Sequence, residues 1–179
     1  MILALSDTFI NLDTKPNLRA VILTGAGDEA FCAGNDRTEL AGPNESELSE
    51  PGQALFSQIE SCHVPVIAAV NGIAAGYGCE LALACHLRIA SVSAQFSLLE
   101  SKLGIVSGDA GMQRLAREVG DEHALEMLTG KAISAQQALR FGLVNHVVPR
   151  ARLLTEAEDL AREIAQSRAT GHSCLSRSC

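Results

Sequence analysis

Two glutamates sit in apolar surroundings: Glu80 inside "GIAAGYGCELALAC" and Glu100 at the end of "AQFSLLE". A carboxylate withdrawn from water loses much of its solvation or takes up a proton unless its surroundings compensate it, so such positions are informative. A pair of carboxylates in one shielded site can hold a water and divide acid and base duties. Spacing leaves other readings open. Glu80 can be the polar tooth of an amphipathic helix, although Cys79, Leu81, Ala82, Leu83 and Ala84 leave it no polar face to belong to. Glu100 can pair with Lys102 or Arg88 on a surface.

Two further stretches, "FCAGND" and "AAGYGCE", are glycine-containing loops after apolar strand-like runs. That arrangement exposes backbone N–H groups to an incoming carbonyl oxygen. Other motifs fit their chemistries less well. "VILTGAGDEA" has the outline of a dinucleotide fingerprint, but Asp28 and Glu29 would stand where a helix start must receive a pyrophosphate. "GIVSG" places Ser107 one residue too late for a nucleophile elbow, so a tight turn is the better reading. The six cysteines contain no C-x-x-C pair and the five histidines no H-E-x-x-H spacing, which leaves a zinc site unsupported.

Composition narrows the partners. A charge of -7 with only 14 basic residues disfavours nucleic-acid and anionic-membrane surfaces, and 3% aromatics with no Trp disfavours base stacking. The stretch from Val64 to Cys85 is long enough to span a bilayer, but Pro65, Asn71, its glycines and Glu80 make it a poor spanning helix, so it reads as core. No signal-peptide pattern is visible; the expectation is a cytoplasmic chain with reduced thiols.

The elements that must position these residues read as α/β. "MILALSDTFINLDT" suits a helix with no cap before it; "LRAVILTG" and "VPVIAAVNG" are unalternating apolar runs, as expected of strands covered on both faces. "HLRIAS" and "AQFSLL" are shorter strands. Helical patterns follow in "AGMQRLAREVG", "DEHALEMLTG", "SAQQALRFG", with Ser134 as N-cap and Gly142 as stop, and "RARLLTEAEDLAREIAQS". Residues 41–52, "AGPNESELSEPG", read as a polar, acidic, mobile loop. The core domain is expected over 1–166. Residues 167–179 break the helical pattern and read as a disordered tail or an altered terminus.

Taken in order, "AVILTGAGDEAFCAGND", "PVIAAVNGIAAGYGCELALACHLRIAS", "AQFSLLESKLGIVSGDAGMQRL" and "LTGKAISAQQALRFGLVNHVVP" resemble the enoyl-CoA hydratase/isomerase family, the crotonases, from about Leu18 to Gln166. The resemblance implies a spiral of ββα units with sheets packed near right angles. It implies acyl-CoA thioesters as substrates with no cofactor beyond the coenzyme A that the substrate carries, and a homo-oligomer, trimer or hexamer. The backbone N–H groups of Asn35 and Tyr77 would form an oxyanion hole. Ala33, Asn35, Asp36, Arg37 and Thr38 would line the CoA side, with Gly108 also at the substrate. Glu80 and Glu100 match the two catalytic glutamates, Glu80 acting on the attacking water and Glu100 exchanging the α-carbon proton.

Both glutamates together favour a hydratase over a double-bond isomerase, which often manages with the carboxylate at position 100 alone. The chain departs from the family pattern in places. Tyr77 stands where glycine is common and would narrow the pocket or restrict its loop; Asn35 often gives way to Ala; His86 replaces a usual Asp and reads as structural; "SGDAGM" puts Asp109 near the acyl side. The chain also starts inside the first helix and leaves the pattern before the helices that cover the acyl pocket. A truncated member is therefore expected, and with it the alternative of a catalytically impaired acyl-CoA binder.

Overall fold

The computed structural model describes residues 1–34, 45–98 and 109–166. Helix α1 (Ile2–Asp13) precedes β1 (Val21–Thr24) and β2 (Ala30–Cys32), then α2 (Glu45–Glu60), β3 (Val66–Val70), β4 (Ile73–Ala75) and α3 (Tyr77–Ala84). There follow β5 (Leu87–Ser91), β6 (Gln95–Ser97), α4 (Asp109–Leu128), β7 (Ile133–Ser134), α5 (Ala135–Phe141), β8 (His146–Val148) and α6 (Leu153–Gln166). Three successive strand–strand–helix units are thus visible.

Each unit sends its first strand to one sheet and its second to another. The first sheet has the order β1-β3-β5-β8 and is parallel throughout; the second runs β2-β4-β6-β7 and is parallel except where β6 meets β7. Asn71, between β3 and β4, fastens one unit to the one before. Its Nδ2 donates to the carbonyls of Gly25, Gly27 and Ala30 at 3.0–3.3 Å, and its Oδ1 accepts from Gly25 N at 3.0 Å.

The unalternating run of β3 has a two-sided explanation. Val66, Ala68 and Val70 face the larger core cluster, while Ile67 and Ala69 face a smaller one built with Ile89 and with Leu153 and Ala157 of α6. All five β3 residues are accordingly buried. β1 is a partial correction: its residues touch both clusters, but among the described strands it pairs only with β3, and this edge position leaves Val21, Ile22 and Leu23 half-buried.

The acidic loop expected over 41–52 is also corrected. Residues 41–44 lie outside the described part, and from Glu45 the chain is helical through Pro51 to Glu60. Proline in a helix interior removes one backbone donor and clashes with the preceding turn, which is why the segment reads as a break. Burial of Leu55, Phe56 and Ile59 outweighs that local preference. α1 begins with no side-chain cap, as expected. α5 carries a full capping box between Ser134 and Gln137 and stops at Gly142 in the left-handed region. α4 contains the boundary between the two expected helical segments, Gly120, where φ is 78° and ψ 161°.

Candidate active site

Helix α3 carries Glu80, and its local sequence explains both where it starts and why it is buried. Its N-cap, Gly76, has φ 53° and ψ -124°, a conformation that strains any residue with a Cβ. Gly76 N donates to Ser97 O of β6 at 2.8 Å, and Gly76 O accepts from Cys79 N and Glu80 N at 2.8 and 3.0 Å. Gly78 lies so close to the Cys32 carbonyl that a side chain there would overlap it, so α3 is set directly against β2. From Gly78 to Ala84 every residue is buried, and Glu80 is only 1% exposed. The amphipathic-tooth alternative for Glu80 therefore has no solvent face to use. Among the described residues no helix is long and apolar enough to cross a membrane.

Tyr77 opens α3, in the turn whose backbone N–H groups point out of the helix start. The loop leaving β2 crosses that start. Gly34 has φ 95°, and a Cβ built on it would stand 2.9 Å from Ala75 O and 3.9 Å from Tyr77 N. Ala33 is exposed beside it. The structure thus brings Ala33, Tyr77 and the helix bearing Glu80 together. Asn35, Asp36, Arg37, Thr38, Gly108 and Glu100 lie outside the described residues, as does the Ser107 turn.

The Tyr77 ring is turned toward α2. It rests on Gly52, where a side chain would overlap the ring, and tilts at 43° to Phe56 with ring centres 5.7 Å apart. The crowding expected of Tyr77 thus falls at least in part on α2.

Three polar residues around Glu80 are missing from the sequence reading. Gln53 Nε2 donates to Glu80 Oε2 at 3.2 Å, and Arg114 donates through a terminal nitrogen to Gln53 Oε1 at 3.0 Å. Arg114 also makes a two-pronged pair with Glu60 at 2.8 and 2.9 Å, and its guanidinium lies 5.6 Å from the centre of the Phe56 ring. Gln53, Phe56 and Glu60 share one helical face by their spacing, the only signal that could have grouped them.

Other expectations resolve structurally. Arg88 is buried rather than on a surface. It donates to the carbonyls of Leu143, Leu83 and Cys85 and pairs with Glu118. His86 Nδ1 accepts from Val66 N at 3.1 Å, a backbone-fastening role. "VILTGAGDEA" leads from β1 into β2 and not into a helix, so no dinucleotide fingerprint is built there. Cys32, Cys62, Cys79 and Cys85 are buried thiols. Burial pushes Cys85 up to about 12 against the opposing pull of Arg88, so its thiol stays neutral and is no nucleophile.

Paired sheets fed alternately by strand–strand–helix units, with a glycine turn over the start of a buried, glutamate-bearing helix, define a crotonase-type α/β fold. The chain belongs to the enoyl-CoA hydratase/isomerase family, which it matches over residues 1–177, a wider span than the motifs alone cover. It is 42% identical over 160 residues to a short-chain-enoyl-CoA hydratase of Clostridium acetobutylicum, covering 87% of this chain and 61% of that protein. It is likewise 42% identical over 167 residues to a crotonyl-CoA hydratase of Syntrophomonas wolfei, covering 91% of this chain and 64% of the relative. The crystal structure of an enoyl-CoA hydratase from Bacillus anthracis superposes with a TM-score of 0.89 at 43% identity, covering 94% of this chain and 67% of that one. The chain spans about three-fifths of the length of these curated relatives.

Proposed function

We propose that this chain carries the core of an enoyl-CoA hydratase, which adds water across the α,β double bond of an acyl-CoA thioester. The observation that carries the reading is Glu80: a 1% exposed carboxylate on the helix whose start lies under the Gly34 turn. The names of the relatives, short-chain-enoyl-CoA hydratase and crotonyl-CoA hydratase, point the same way.

In this reading the thioester oxygen accepts from the backbone N–H groups of Asn35 and Tyr77. Fixed dipoles aimed at the developing enolate lower the barrier by about 3–4 kcal/mol per donor. Glu80, as carboxylate, takes a proton from the water as its oxygen bonds to the β carbon; Glu100, as acid, delivers a proton to the α carbon. The next water then carries the proton from Glu80 back to Glu100, which restores both groups for another turnover. Ala33, Asn35, Asp36, Arg37 and Thr38 hold the CoA portion and Gly108 borders the acyl group. No cofactor beyond the substrate's own coenzyme A takes part. The reading includes a homo-oligomer, trimer or hexamer, in the cytoplasm; exposed Leu3 and Ile10 on α1, Met1 just before it and Leu125 on α4 supply apolar surface for assembly.

The test is hydration of crotonyl-CoA by the purified chain, followed by loss of the conjugated thioester absorbance. Glu80→Gln abolishes hydration if the assignment holds. A wild-type chain that shifts the double bond without hydrating it would be an isomerase, and CoA affinity without turnover would make it a binder.

A further inference from the structure

Between Glu60 and Glu80 runs an unbroken line of contacts: Glu60 to Arg114, Arg114 to Gln53, Gln53 to Glu80. Arg114 is 7% exposed and is doubly anchored by Glu60. A guanidinium has donors only, so its contact with Gln53 fixes which end of the amide faces it: the oxygen. The amide nitrogen is then directed at Glu80. The reverse orientation would oppose donor to donor on one side and acceptor to carboxylate on the other.

We propose that Gln53 is a positioning residue for Glu80, held in orientation by Arg114, so that helices α2 and α4 together set the place and rotamer of the carboxyl group on α3. The inference rests on the reading of Glu80 as the group that takes a proton from water. An amide nitrogen cannot accept, so Glu80 Oε2 must meet it as an acceptor, and an ionised carboxylate is the stronger acceptor. That is the form a base needs before each turnover. The contact also holds the carboxylate in one place, and small misplacements of a catalytic group are costly. Gln53 has no need to touch substrate for this role. Its position on α2, one turn before the Phe56 that supports the Arg114 guanidinium, puts Gln53 and Phe56 on one helical face turned to Arg114.

Two near-isosteric substitutions separate positioning from mere structure. Gln53→Met removes donor and acceptor alike. Gln53→Glu keeps an acceptor for Arg114, indeed a charged one, but turns an acceptor toward Glu80. If Gln53 served only to brace α2 against α4, Gln53→Glu would retain more activity than Gln53→Met, because it strengthens the contact to Arg114. Positioning reverses that order. With crotonyl-CoA, kcat falls about 10-fold in Gln53→Met and about 100-fold in Gln53→Glu, with KM within about 2-fold of wild type, the split expected when the loss is confined to the reacting state. Thermal melts of both variants accompany the kinetics, and Gln53→Glu melts no lower than Gln53→Met. Wild-type kcat in both variants, or the structural order of activities, overturns the inference even when Glu80→Gln abolishes turnover. Hydration that survives Glu80→Gln, or a folded wild-type chain without turnover, overturns the reading of Glu80 and this inference with it.

Discussion

The backbone of Gly34 lies against the first turn of α3, so near that a Cβ at position 34 would come within 2.9 Å of Ala75 O and 3.9 Å of Tyr77 N. Two chain segments from different units thereby meet with no side chain between them, which is the condition for two N–H groups to converge on one oxygen. Gly34→Ala breaks that condition twice, through a φ of 95° that a Cβ disfavours and through the contact with Ala75 O. The variant should lose about 1–3 kcal/mol of stability, measured by urea unfolding. It should also lose about 10²-fold or more in kcat. A variant with wild-type kcat would show that the turn does not shape the proposed site.

How much of this was readable beforehand depends on whether the determining contacts are local. Ser134 and Gly142 delimit α5 because capping acts within one turn of chain, and both were legible. Glu80's burial was legible from its neighbours for the same reason. α2 was not, because Pro51 and the acidic residues before it describe a loop locally, and only packing of Leu55, Phe56 and Ile59 into the core makes the segment a helix. Gln53 and Arg114 were invisible as site residues. They reach Glu80 from two other helices, and no spacing along the chain encodes that meeting.

The Tyr77 ring occupies space that exists only because residue 52 is glycine. Gly52→Ala gains helix propensity of about 1 kcal/mol, but overpacking costs about 1–3 kcal/mol, so net destabilisation is expected. Removing the ring with Tyr77→Ala should relieve the cost of the methyl group. The double variant Gly52→Ala/Tyr77→Ala should then be more stable than the sum of the single effects by at least about 0.5 kcal/mol. Strict additivity in denaturant melts would show that the ring does not rest on position 52.

Arg88 closes the other end of α3. Its guanidinium donates to the carbonyls of Leu83 and Cys85 at the helix end and to Leu143 O, and pairs with Glu118 of α4, with 4% of its side chain exposed. A cation there satisfies carbonyls that the helix leaves over and opposes the negative end of its dipole. Arg88→Met leaves the buried carbonyls without their donor, while the partly exposed Glu118 can turn to water, and should cost about 1–3 kcal/mol. Chemical denaturation reads the loss. A change below about 1 kcal/mol, within the range of an ordinary exposed pair, would mean that the buried cation contributes little.

Alkaline pH should find a weak point at Cys85. Its thiol is raised from 9.0 to about 12 by burial, with Arg88 acting in the opposite direction. In the unfolded chain the thiol loses its proton first as pH rises, so above pH 9 the folded state binds more protons than the unfolded one. The stabilising contribution is therefore complete below pH 9 and is lost progressively toward pH 12, at up to about 1.4 kcal/mol per pH unit. Cys85→Ala should flatten that part of the stability curve relative to wild type, as measured by urea unfolding at a series of pH values from 8 upward. The same burial keeps the folded thiol inert: iodoacetamide at pH 8 should leave Cys85 unmodified by mass spectrometry until denaturant is added. Rapid labelling of Cys85 in the folded chain, or an unchanged alkaline slope in Cys85→Ala, would place the thiol in a far wetter setting than the packing of α3 describes.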